Sequence, residues 1–139
     1  MEYRKCGDVI AVRLYRGEEL VSSLKALCGQ EGVTCAQVNG LGACDHVVVG
    51  LYNVAQRQYH QTTVDEEMEL VSLLGNVTMK DGELYQHYHA AFAAEGGRMV
   101  GGHLNEARVS GTAEIFINIV YGSIGRKGDP DTGLNVFDF

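Results

Sequence analysis

The chain has 139 residues, which we expect to form a single domain over residues 1–139, and 45% of them are hydrophobic, which is enough for a core. No run approaches 18 apolar residues and the N-terminus leads into no signal-peptide core, so we expect a soluble, cytoplasmic protein with no membrane-spanning helix. A formal charge of −7 argues against DNA binding by the monomer, because such binding needs clustered Lys and Arg. An oligomer could still form a basic surface from residues of several chains.

The first predicted elements are a strand and a helix. Asp8–Tyr15 alternates as a strand does, and Arg16–Gly17 supplies a turn. Glu18–Glu19 then begins a helix, where acidic side chains favour the positive end of the helix dipole, and Gly29 or Gly32 ends it. The apolar residues at helical spacing are Leu20, Leu24, Leu27 and Cys28.

A glycine-rich segment separates the next two predicted strands. The strands are Val33–Val38 and Asp45–Tyr52, with Asn39–Ala43 between them. This segment lacks the full glycine fingerprint and the strand-to-helix context of a dinucleotide site. We therefore predict a hairpin turn here rather than a loop that holds a phosphate.

Most of the remaining chain has the pattern of strands. Two strands are predicted over Gln58–Val64 and Met68–Met79, and a last long strand over Val109–Tyr121, preceded by a connection at Asn105–Arg108. The tail from Gly125 to Phe139 is turn-rich. The cysteines lack CxxC pairing and the density of a secreted disulfide scaffold, so we expect reduced, mostly packed thiols. They are Cys6, Cys28, Cys35 and Cys44.

Three histidines occur in a predicted hairpin. His87 and His89 are two residues apart, so their side chains project from the same face of a strand. Glu95–Gly97 has the composition of a three-residue hairpin loop, after which His103 returns beside them. Neutral imidazoles bind zinc and similar ions, and three of them leave a fourth position open. We predict that these three histidines bind a divalent metal ion, zinc being the expected one.

The metal prediction depends on strand register. With Ala94 and Arg98 as the closing pair, His103 lies opposite His89. A two-residue loop would turn His103 to the other face, and a bulge at Gly101–Gly102 would shift it by one residue. The alternative is a set of ordinary strand histidines that are hydrogen-bonded or solvated.

The order of several segments resembles the plants-and-prokaryotes-conserved domain, or PPC domain, in its free-standing prokaryotic form. The segments are Gly40–Ala43, Met68–Asn76, His87–His89, Gly101–Leu104 and Thr112–Ile115. The resemblance implies an α+β fold around a mainly antiparallel sheet, with one principal helix and short helices, assembled as a homotrimer. It also implies metal binding, because the histidine positions of metal-containing prokaryotic members match those predicted above. Members are commonly described as predicted DNA-binding proteins, largely because plant relatives carry an AT-hook segment, which this chain lacks.

Three functions follow from these features. The first is a trimeric binding or regulatory protein whose metal site is structural or senses a small-molecule ligand. The second is a metal-dependent enzyme acting on a small molecule. Its general acid or base candidates, by chemical character, are Glu69, Tyr85 and Glu114. The simpler alternative is that these three are buried or interface residues. The third is a DNA-associated module, for which a trimer would have to gather dispersed cations. Those cations are Arg57, Arg98, Arg108, Arg126 and Lys127.

Overall fold

The computed structural model describes every residue from Met1 to Phe139. The fold is α+β, with one principal helix and a mainly antiparallel sheet, as predicted, but the short helices also expected are absent apart from a single 3₁₀ turn. A short 3₁₀ turn over Glu95–Gly97 joins the sixth and seventh strands. The elements in chain order are β1 (Glu2–Cys6), β2 (Val9–Tyr15), α1 (Leu20–Glu31), β3 (Ala36–Asn53), β4 (Gln58–Val64), β5 (Met68–Lys80), β6 (Glu83–Ala94), β7 (Met99–Ile119), β8 (Gly125–Gly128) and β9 (Asn135–Asp138).

The strands form one large sheet and one small hairpin. The sheet has the order β1-β2-β7-β6-β5-β3-β4, and β8 pairs with β9 alone. Because β7 also pairs with β3, the strands β3, β5, β6 and β7 form a closed cycle of neighbours. Register shifts along the β3–β7 pairing occur between Gly42 and Cys44, between Cys44 and His46, and between Val48 and Val49. Such bulges let two very long strands bend.

Gly40 and Gly42 lie inside β3, so the predicted hairpin turn over Asn39–Ala43 is wrong. A Cβ on Gly40 would lie 2.9 Å from the carbonyl O of Glu114, and one on Gly42 would lie 2.5 Å from that of Thr112. The glycines therefore permit close approach of β7 to β3. Composition alone does not distinguish this role from that of a turn.

Strand β7 runs without a break through Asn105–Arg108, so the predicted connection there is wrong. Glu106 pairs with Val48 of β3, and Arg108 pairs with His46. The two charged side chains are exposed while Ala107 between them is buried, which is the alternation of a strand with one solvent face. Two further elements have no counterpart in the sequence prediction, namely β1 and the β8–β9 hairpin, which lies in the tail predicted to be turns.

The predicted helix is confirmed at both ends. Glu19 is the N-cap, and its carboxylate accepts hydrogen bonds from the N–H groups of Val21 and Ser22 at 2.9 Å and 2.6 Å. Gly32 is the C-cap, with the positive φ of 66° that favours glycine. No helix of the chain has the length and apolar content of a membrane span. The four apolar residues predicted for the inner face are all buried: Leu20, Leu24, Leu27 and Cys28.

Candidate metal centre

The hairpin of β6 and β7 sets the positions of the three histidines. Its loop, Glu95–Gly97, has three residues, and its two glycines have φ angles of 72° and 77°. The N–H of Ala94 donates to the carbonyl O of Arg98 at 2.8 Å and closes the loop. His89 consequently pairs with His103, so the predicted register is confirmed.

His87, His89 and His103 form one cluster on this hairpin. One ring nitrogen from each lies within 4.8 Å of the other two. The ring centroid of His87 is 5.1 Å from that of His89 and 5.0 Å from that of His103, and the remaining pair is separated by 5.7 Å. The His89 side chain is exposed and the other two are half-buried. The three imidazoles converge as predicted.

The surroundings favour the neutral form of two imidazoles. Burial, together with the neighbouring His103, His89 and Arg126, lowers the pKa of His87 to about 4. Burial and the neighbouring His89 also lower the pKa of His103. Both rings are therefore neutral at pH 7, and the neutral imidazole is the form that binds a metal ion.

The donor set fits a zinc-like divalent ion. Three imidazoles are a known zinc donor set, with zinc–nitrogen bonds of about 2.0–2.1 Å and a fourth position left for water or another ligand. Two nitrogens on a tetrahedral ion with such bonds are about 3.3 Å apart. The nitrogens of the cluster lie within 4.8 Å of one another, which is close to that spacing.

A groove of about 890 Å³ opens beside the imidazoles. The lining residues include no Asp or Glu, although the chain has 18 of them. The sequence predicts only the three histidines for this site, with Tyr85 an acid or base candidate by character, and five further polar residues of the groove were missed. Asn76 could have been found from the sequence, because it ends Met68–Asn76, one of the segments that resemble the PPC domain. The missed residues are Tyr52, Tyr59, Asn76, Arg126 and Asn135.

Gly50 makes room for Tyr59 at the edge of the cluster. Gly50 of β3 pairs with His103 of β7, and a Cβ on this glycine would lie 2.0 Å from the Tyr59 hydroxyl oxygen. The Tyr59 ring approaches the His103 ring edge-on, with centroids 6.0 Å apart. The Nδ2 of Asn105 donates to the Tyr59 hydroxyl at 2.7 Å. The absence of a side chain at Gly50 thus lets an aromatic ring border the candidate metal centre.

Of the three acid or base candidates, one lines the groove. Tyr85 of β6 is part of the groove wall, two residues before His87. Glu69 is exposed and pairs in register with Ala43 and Ala93. Glu114 lines a different surface depression next to β1 and β2. The structure does not bring the two carboxylates to the imidazoles.

The basic residues considered for DNA binding are engaged with other parts of the chain. Arg98 pairs with Glu66, Arg108 with Asp45 at 2.7 Å, and Lys127 with Asp138 at 2.8 Å. A separate pair of contacts holds Arg57, whose guanidinium donates to the carbonyl O atoms of Pro130 and Asp131. Arg126 points into the groove, so Arg126 and Lys127 do not form one surface pair.

Comparison with known proteins assigns the family. The family model of the Plants and Prokaryotes Conserved (PCC) domain matches residues 1–120. The chain belongs to the PCC domain family. The resemblance to the PPC domain stated above is therefore confirmed, since the two names describe the same conservation across plants and prokaryotes. No curated protein matches this PCC domain chain.

Three solved structures are similar over almost the whole PCC domain chain. A predicted DNA-binding protein from Bacteroides thetaiotaomicron is 30% identical, with a TM-score of 0.96, and 99% of this chain and 96% of that chain are covered. A metal-containing protein from Archaeoglobus fulgidus is 30% identical, with a TM-score of 0.90 and coverage of 99% and 97%. A plant- and prokaryote-conserved protein from Pyrococcus horikoshii is 33% identical, with a TM-score of 0.87 and coverage of 99% and 95%.

Proposed function

We propose that this PCC domain protein is a trimeric binding or regulatory protein that holds one divalent ion, zinc, per chain through His87, His89 and His103. The observation that carries the proposal is the convergence of three imidazole nitrogens within 4.8 Å on one hairpin. Two neutral rings and a groove beside them suit an ion whose fourth position receives a small-molecule ligand. The similar protein from Archaeoglobus fulgidus, which contains metal, supports the same assignment.

The trimer is proposed to form through an apolar face next to the histidines. Asn39 of β3 pairs in register with Leu74 of β5 on one side and with Phe116 of β7 on the other. Directly paired residues project from the same face, so all three side chains lie on one face of these adjacent strands. Leu74 and Phe116 are 56% and 51% exposed. Leu74 also pairs with His89, so this face adjoins the imidazoles. An apolar face of this kind is typical of a protein-protein interface.

DNA is not the ligand that we propose for this chain. The similarity to a predicted DNA-binding protein favours DNA, but the formal charge of −7 opposes binding to phosphate, and Arg98, Arg108 and Lys127 already face carboxylates of the chain. A metal-dependent enzyme is the second candidate. The observation that favours it is Tyr85, a hydroxyl-bearing residue in the groove wall two positions from His87.

Metal analysis of the purified protein tests the proposal. The wild-type chain is expected to bind one equivalent of zinc after dialysis against the metal and gel filtration. The double variant His87→Ala/His89→Ala should bind none while keeping its circular dichroism spectrum. His60→Ala is the matched control, because His60 is exposed on β4 and lies outside the cluster, and it should retain full occupancy. Full occupancy in the double variant rejects the assignment.

A further inference from the structure

Arg126 is fixed in the groove wall by neutral partners. Its Nε donates to Thr78 Oγ1 at 3.0 Å, its Nη1 to the carbonyl O of Asn135 at 2.8 Å, and its Nη2 to Asn76 Oδ1 at 2.6 Å. These three contacts restrain the guanidinium from three sides. Its centre also lies 4.6 Å from each of two aromatic ring centroids, those of Tyr85 and Phe137.

The sheet register brings Arg126 next to the histidine cluster. Asn76 of β5 pairs directly with His87 of β6. Side chains of a directly opposed pair project from the same face, so Asn76 lies beside the His87 imidazole. The guanidinium that donates to Asn76 is therefore adjacent to the candidate metal centre.

The charge of Arg126 has no carboxylate partner. Arg126 takes part in none of the ion pairs of the chain. The side chain is half-buried, and burial lowers its pKa from the usual value. Removing a charge from water, even in part, is costly without an opposite charge nearby. The groove of this acidic protein thus holds a restrained cation and no carboxylate of its own.

We infer that Arg126 and the metal position at His87, His89 and His103 together bind the carboxylate group of a small organic acid. This inference rests on the proposed function and specifies the ligand class of the same groove. The hydrocarbon part of the acid lies along the apolar wall formed by Leu134, Val136 and Phe137.

The contacts favour a carboxylate over other anions. A guanidinium has five N–H donors, and the three hydrogen bonds of Arg126 leave two for a ligand. The remaining two, one on Nη1 and one on Nη2, can donate to carboxylate oxygens, and such charge-assisted hydrogen bonds are the strong ones. The apolar wall of Leu134, Val136 and Phe137 suits a hydrocarbon chain, which an organic acid has and inorganic phosphate lacks.

A pair of ligands that differ mainly in charge tests this inference. Zinc-loaded protein, with its metal content measured first, is titrated calorimetrically with phenylacetate and with phenylacetamide, which has nearly the same shape. Phenylacetate is expected to bind at least about tenfold more tightly, since hydrogen bonds to charged groups are roughly twice as strong as neutral ones. Equal binding of the two compounds, or tighter binding of inorganic phosphate than of phenylacetate, overturns the carboxylate assignment.

Two variants identify Arg126 as the residue responsible. Arg126→Met removes the charge, and Asn76→Asp supplies a carboxylate at the position that already accepts from Nη2 at 2.6 Å, with almost no change in shape. Each should weaken phenylacetate binding at least about tenfold while zinc remains bound. Lys127→Met is the matched control, because Lys127 is exposed and pairs with Asp138, and it should bind phenylacetate as the wild type does.

The outcomes separate this inference from the function on which it rests. Absence of zinc from the wild-type protein rejects the proposed function, and the inference with it. Stoichiometric zinc with unchanged phenylacetate affinity in Asn76→Asp rejects the inference alone. If Arg126→Met fails to fold, the Asn76→Asp result still decides, because that variant preserves the hydrogen bond that holds the guanidinium.

Discussion

His89 of β6 lies directly opposite His103 of β7, and their ring centroids are 5.7 Å apart. The three-residue loop Glu95–Gly97 determines this pairing, because a loop of another length would change the register. His87 joins the pair through the two-residue period of its strand. The candidate metal centre is thus a consequence of one hairpin and its loop length.

Gly75 is predicted to be intolerant of a side chain. A Cβ there would lie 2.3 Å from the carbonyl O of His87 and 3.0 Å from the Cα of Tyr88. Because backbone atoms cannot move aside cheaply, Gly75→Ala should lower the free energy of unfolding by about 1–3 kcal/mol. Gly128→Ala is the control, since nothing lies within 4 Å of the position of its Cβ. Urea denaturation of both variants measures the difference, and equal midpoints would contradict the packing described for Gly75.

The cysteines are predicted to differ in reactivity. Burial raises the pKa of the Cys28 thiol to about 11 and, together with Asp45 and Glu19, that of Cys44 to about 12. Alkylation requires an accessible thiolate, so both should react with iodoacetamide at pH 8 only after unfolding, whereas the exposed Cys6 should react in the native protein. Peptide mass spectrometry identifies the modified residues. Rapid native labelling of Cys44 would disagree with its burial.

The apolar face of Leu74 and Phe116 is predicted to mediate trimer formation. Phe116→Glu places a charge on that face and should shift sedimentation towards the monomer. Val120→Glu serves as the control, because Val120 is 45% exposed and follows the end of β7. A wild-type protein that sediments as a monomer at micromolar concentration rules out the proposed assembly.

Duplex DNA is predicted to bind weakly and with little sequence preference. The chain has a formal charge of −7, and Arg98, Arg108 and Lys127 already face carboxylates, so little counterion release from phosphate is expected and binding should fade at physiological salt. Fluorescence anisotropy over a salt series measures it. Lys127→Glu should leave both affinity and salt slope unchanged. Nanomolar, sequence-selective binding at about 150 mM salt, as in typical specific DNA-binding proteins, would show that DNA is a ligand after all.

The elements that sequence predicted well are those defined by local signals. Helix α1 has an acidic cap, helical apolar spacing and a terminal glycine, and all three are present in the structure. The hairpin of the histidines has a loop whose length and glycines specify its register. In both cases the information lies within one short continuous stretch of the chain, which is why pattern and turn chemistry suffice.

The features that sequence missed depend on contacts between distant segments. Gly40 and Gly42 have the composition of a turn, but their role is set by the approach of β7, some 70 residues away in the chain. Arg126 has the pattern of a surface residue beside Lys127. It lies in the groove because Asn76 and Thr78 accept its hydrogen bonds, and no local signal reports those partners.

The zinc X-ray absorption spectrum of the metal-loaded protein tests the central claim most directly, because it reports the identity and distance of the ligand atoms. A site formed by His87, His89 and His103 predicts imidazole scattering from three nitrogens at about 2.0–2.1 Å, with no sulfur shell. The contradicting result is a sulfur shell at about 2.3 Å, which would place the ion on cysteines instead, or a shell of light atoms without imidazole scattering.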